Sequence, residues 1–188
     1  MSHSVLGKAL LAVQQGFQEL GTPYMLIGGL AVILRGFPRH TDDIDVTVPG
    51  AEIDIARLIE ILGKHGFEPR IDNALDFAKH NQVLLLRHTE TTVELDVAMA
   101  WLPFEDEALR QAESLEVEGV SVPVARAEDL LIYKAVAWRE RDRRDIAELL
   151  RLHRTDIDLD RVRAIVEQFA EAMDEPERVS DLELLISS

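Results

Sequence analysis

The sequence predicts an α+β protein, α/β-like in its first half, with a small mixed β-sheet flanked by helices and a helical C-terminal part. Three observations carry this expectation. Helix-period runs alternate with short apolar runs closed by glycine or proline over the first half of the chain. Further strand-like runs follow in succession. From Arg126 onward every apolar pattern has helical spacing. A soft boundary near Pro123 divides a core at residues 1–122 from a mostly helical region at 123–188 that packs on it. No repeat or low-complexity segment interrupts the order.

The elements follow from the local chemistry. Residues 4–20 place apolar side chains at helical spacing and stop at Gly21-Thr22-Pro23. "YMLIGG" is a continuous apolar run suited to a buried strand, and "LAVILRG" a short helix closed by Gly36. "DIDVTV" alternates, so Asp43, Asp45 and Thr47 share one face and Ile44, Val46 and Val48 the other. "AEIDIARLIEILGKHG" reads as an amphipathic helix stopped by Gly66. "QVLLLRHTE" and "TTVELDVAMAW" read as two strands joined by a tight turn near Glu90 and Thr91. "LEVEGVSVPVA" reads as a hairpin around Glu118-Gly119. Helices are expected near 126–138, 140–153 and 158–173. Trp101 and Trp138 are expected to be partly buried packing residues.

Composition narrows the function classes. The 188 residues are 47% hydrophobic, enough for a sizeable core. No apolar run approaches the ~20 residues needed to span a bilayer, so no membrane partner is expected. "MSHSVLGKAL" lacks the layout of a signal peptide, and there is no cysteine; both fit a cytoplasmic protein. The absent thiols exclude disulfides, thiolate metal sites and cysteine nucleophiles. A formal net charge of −15 argues against a protein that coats nucleic acid.

The chemistry concentrates in carboxylates. Asp43 and Asp45 stand at i and i+2 on one strand, and Asp96 on another. If those strands are neighbours, three anions converge and need a counter-charge. Oxygen-only ligation suits Mg²⁺ or Mn²⁺. Gly28-Gly29, between a strand and a helix, would let phosphate oxygens approach backbone amides. Arg35, Arg39 and Lys134 are candidate counter-charges for those phosphates. Were 130–146 one helix, Lys134, Trp138, Arg141 and Asp145 would fall in one stripe. Asp42 reads as a turn or cap residue. Glu94 shares a face with Asp96 and rivals it. None of the histidines has a second histidine at metal-ligand spacing, and His40 reads as a solvated loop residue.

"GG", then "RHTDDIDV", then "VELDVA" resembles the nucleotidyltransferase superfamily with the DNA polymerase β-like fold. "IGGLAVILRGFPRHTDDIDV" and the later "YKAVAWRERDRRD" are similar to the AbiEii and related toxin-type bacterial nucleotidyltransferases. The similarity covers roughly residues 24–150. The ordered set is far more specific than any one motif. It implies an NTP substrate, Mg²⁺ or Mn²⁺, and a possible antitoxin partner. It also implies an acceptor hydroxyl on tRNA, a protein or a small molecule.

Carried over by position, the resemblance makes Gly28 and Gly29 the phosphate loop and Asp43 and Asp45 metal ligands. Asp96 becomes a third ligand or the base. Arg35, Arg39, Thr41, Lys134, Arg141, Asp142 and Asp145 fall on the nucleotide side. Two positions depart from the pattern. The serine that often follows the first glycine is absent, and Arg141 stands for a lysine. Taken singly, the motifs have plainer readings. The glycines suit a strand-to-helix turn, and "WRERDRRD" suits a salt-bridged helix face. Two other functions use the same residues: a non-catalytic nucleotide-binding or antitoxin-interacting module, and a metal-dependent phosphohydrolase.

Overall fold

The computed structural model describes residues 3–51 and 53–187. These fall into two compact units. One comprises the chain up to Ala31 together with Arg39–Ala125; the other comprises Val32–Pro38 and the chain from Arg126 onward.

In the first unit, helix α1 (Val5–Leu20) opens on Ser4, whose hydroxyl accepts from the Gly7 amide at 3.0 Å. It ends at Gly21 in the left-handed region, as the Gly-Thr-Pro stop predicts. The strands are β1 (Met25–Ile27), β2 (Asp43–Pro49), β3 (Phe67–Pro69), β4 (Val83–His88), β5 (Glu94–Ala100), β6 (Glu113–Val117) and β7 (Val120–Val124). They make one mixed sheet in the order β3-β4-β5-β2-β1-β7-β6. β2 runs parallel to β5 and antiparallel to β1, so it is paired on both sides. Period two then decides burial. Ile44, Val46 and Val48 are fully buried with Leu95 and Val97 of β5, and Asp43 and Asp45 turn to the opposite, half-buried face. β6 and β7 are joined through Glu118 and Gly119, both at positive φ, the requirement of a tight hairpin turn.

Helices α2 (Gly28–Leu34), α3 (Ile55–Lys64), α4 (Ala74–Asn81) and α5 (Pro103–Gln111) complete the region before β6. β3, α4 and α5 have weak sequence signals. β3 is three residues long and contains a proline. α4 is a short, polar helix. α5 begins on Pro103, with the Glu105 carboxylate accepting from the amides of Trp101 and Leu102 at 3.0 and 3.1 Å. Trp101 departs from expectation: just ahead of α5, it is 71% exposed.

The second unit is helical: α6 (Ala127–Ala137), α7 (Glu140–His153), α8 (Leu159–Ala172) and α9 (Glu177–Ser187). Trp138 has φ 51° and breaks the chain between α6 and α7. Residues 130–146 are therefore two helices, and the stripe expected of one does not form. Trp138 caps α6 and carries the Arg178 guanidinium over its ring, 5.1 Å from the centroid. Arg178 also donates to the carbonyls of Ala135 and Val136 at 2.8 and 3.0 Å. Among the described residues no helix is long and apolar enough to cross a membrane.

Candidate active site

Strand pairing assembles the carboxylates. The parallel register sets Asp43 beside Glu94 and Asp45 beside Asp96. Neighbouring strands lie about 4.8 Å apart, so four acids form a two-by-two patch on one sheet face. Sequence spacing pairs Asp43 with Asp45 and leaves Glu94 and Asp96 as rivals. The register brings in both.

The glycines pack against this patch. Gly28 has φ +65°, and a Cβ there would lie 1.9 Å from Asp45 Oδ2. Only hydrogen fits between that backbone and the carboxylate. A Cβ on Gly29 would meet Thr41 Oγ1 at 2.5 Å and Arg39 Nη2 at 2.6 Å. Thr41 in turn donates to Asp43 Oδ1 at 2.6 Å, and Arg39 donates to the His40 carbonyl at 2.9 Å. Gly28, Gly29, Arg39, Thr41, Asp43, Asp45 and Asp96 thus lie within one unit, linked by contact or register. Asp42 is exposed beside His40, 3.5 Å away, as a turn residue should be.

Arg70, which sequence reasoning missed, answers the charge problem. It donates through one nitrogen to Glu94 and through the other to Asp96. Glu94 also accepts from Arg87 at 2.8 Å. That hydrogen bond is the main reason the Glu94 carboxyl is held below the usual range. Asp96 is pushed up, first by burial. Arg70 opposes that shift, while the charges of Asp43 and Glu94 add to it. Arg70 follows a three-residue strand containing a proline, and no motif marks it.

The donor set is oxygen-only, which suits a hard divalent cation. Arg70 and Thr41 already engage one oxygen each of Asp96 and Asp43. Among the described residues no three His, Cys, Asp or Glu side chains form a group that could hold a metal ion.

The remaining candidates lie in the second unit. Lys134 Nζ sits 3.0 Å from Asp142 Oδ1 and 2.9 Å from Asp145 Oδ2, all three side chains buried. Asp142 Oδ2 also accepts from the Arg139 amide at 3.0 Å, fixing the start of α7. Arg141 is exposed on α7. The Arg35 carbonyl meets His153 Nε2 at 2.6 Å.

Comparison with known proteins speaks to the family and the fold. A family profile described as "nucleotidyltransferase of unknown function (DUF6036)" matches residues 8–187. No curated protein matches the chain. Among solved structures, the chain is similar to ANT(2'')-Ia in complex with adenylyl-2''-tobramycin. That match has a TM-score of 0.58 and 20% identity over 88% of this chain and 97% of that one. It is similar to the lincosamide antibiotic adenylyltransferase LnuA, lincomycin-bound, with TM-score 0.53 and 20% identity over 76% and 94%. A nucleotidyltransferase from H. pylori matches with TM-score 0.55 and 18% identity over 95% and 82%. At these identities the likeness is one of fold. The family match spans nearly the whole chain, and on it the protein belongs to the DUF6036 nucleotidyltransferases, enzymes of nucleotidyl transfer.

Proposed function

We propose that this enzyme moves a nucleoside monophosphate from an NTP to a hydroxyl of a small-molecule acceptor. The observation that carries this reading is the register that sets Asp43 and Asp45 beside Glu94 and Asp96, with Gly28 pressed on Asp45. The acceptor oxygen forms a bond to the α-phosphorus, the bond from that phosphorus to the β-bridging oxygen breaks, and pyrophosphate leaves. Asp43, Asp45 and Asp96 would hold a divalent ion, Mg²⁺ or Mn²⁺, only after their side chains turn toward one another, since in the ion-free arrangement they do not make a ligand group. When bound, such an ion supplies charge neutralisation to the triphosphate and lowers the pKa of the acceptor hydroxyl. Asp96 stands beside Asp45 in register, where it can serve as a ligand to the ion or take the hydroxyl proton. The backbone at Gly28-Gly29, with Arg39 and Thr41, would position the phosphates, the main contribution a protein makes to this kind of transfer.

Two observations support a small acceptor. The structural neighbours include ANT(2'')-Ia, solved with adenylyl-2''-tobramycin, and the lincosamide antibiotic adenylyltransferase LnuA, solved with lincomycin. The −15 charge repels polyanions such as tRNA. A second reading, a toxin-type enzyme acting on tRNA or protein and held by an antitoxin, rests on the AbiEii-like "RHTDDIDV" block.

The test is mass spectrometry of small molecules, tRNA and protein after incubation with labelled NTPs, with pyrophosphate release measured in parallel. Asp96→Asn is expected to lower release by about 10²- to 10⁴-fold, the range for loss of a positioned base. Asp45→Asn is expected to abolish it, with folding unchanged by circular dichroism. Undiminished turnover in either variant would refute the assignment.

A further inference from the structure

We propose that Arg70 is a resident counter-cation, held by Asp96 and Glu94 while the carboxylate face lacks a divalent ion, and shifted off Asp96 when an ion binds. This rests on the ion-binding role given above to Asp43, Asp45 and Asp96.

Placement is the first argument. Arg70 directly follows β3, the edge strand, and its amide bonds the Leu85 carbonyl at 3.0 Å. Leu85 is the register partner of Asp96. Arg70 therefore stands two strands from the acids and reaches them across β4 with a long side chain. Its anchor is a three-residue edge strand ending in proline, which cannot donate to the ladder.

The second argument is the geometry of the fork. A guanidinium binds most strongly when both nitrogens grip one carboxylate. Here the fork is divided between two. The buried Nε has no hydrogen-bond partner among the described residues. An unmet buried donor means that this seat does not satisfy the group fully. Glu94 offers an alternative seat, since it already holds Arg70 and could take the whole fork. Asp96 would then be released without Arg70 leaving the patch.

Charge supplies the reason for the arrangement. Asp96 lies beside Asp45 in register and one residue pair from Asp43 and Glu94. A patch of four acids needs compensation in the ion-free protein. Arg70 and a divalent ion meet the same need, so they compete for Asp96. Nucleotide-free protein should accordingly bind the ion weakly.

The test is calorimetric titration of Mn²⁺ into the full chain without nucleotide. Arg70→Gln is expected to bind Mn²⁺ at least about fivefold more tightly than the wild type, the lower end of usual coupling between sites. Arg70→Lys is expected to fall between, since an ammonium cannot span two carboxylates. In chelator the melting temperature of Arg70→Gln should fall below wild type, and Mn²⁺ should raise it more than it raises the wild type. Should Arg70→Gln fail to fold, the Arg70→Lys comparison decides alone. Equal or weaker Mn²⁺ binding in the variants overturns the exchange and makes Arg70 a fixed orienting partner, with the site reading intact. Binding by Arg70→Gln that survives a second change, Asp45→Asn, places the ion elsewhere and overturns both.

Discussion

At the scale of single residues, Gly28 shows how narrowly the site is specified. Its φ is positive, and a methyl group would overlap Asp45 Oδ2. Gly28→Ala is expected to cost about 1–2 kcal/mol in denaturation, from the left-handed backbone alone. It should also lower pyrophosphate release by about 10²-fold, the order of loss expected when a positioned group is displaced by about 1 Å. The two-glycine signal was legible in the sequence, and so were Asp43 and Asp45, because alternation along a strand assigns faces without further information. Arg70 was not legible. A lone arginine after "FEP" becomes significant only when an edge strand is laid across another strand from Asp96, and sequence spacing does not encode that juxtaposition.

Elements carry their own tests. His88 ends β4, nearly buried against Phe67, with ring centroids 5.0 Å apart and Nδ1 2.8 Å from Thr91 Oγ1. Burial holds its pKa below the ordinary value of 6.5. The folded protein thus favours the neutral ring, and the unfolded chain binds the proton more readily. Stability present above pH 6.5 is lost as pH falls through the lowered folded value. Between about pH 7 and 5 the wild-type melting temperature should drop, and His88→Gln should flatten that limb. In the helical unit, Lys134 stands between two buried aspartates. Lys134→Met removes the buried cation they share and is expected to cost about 3–5 kcal/mol by urea denaturation. The helices bearing this group were readable from periodicity, with the boundary at Trp138 close to that expected. The break that prevents a single stripe was not, because a non-glycine residue in the left-handed region leaves no mark in a hydrophobic pattern. Short polar elements such as α4 escaped for a related reason: they bury too little to show a period.

For the whole molecule, composition bounded the partners and strand order built the site. The −15 charge lowers affinity for polyanions at any surface lacking a local basic groove. The α+β class was evident from the sequence of element types. The strand order β5-β2-β1 was not, since β5 joins β2 across some fifty intervening residues and pairs parallel to it. One consequence concerns timescale. β2 is bonded on both flanks, whereas β3 is a three-residue margin. Amide hydrogens of residues 44–48 should therefore be among the slowest in the protein to exchange with deuterated solvent, and that of Arg70 among the faster in the sheet. The anions that would do the chemistry are mounted on the part of the sheet that opens last, and their arginine partner on a part that opens early.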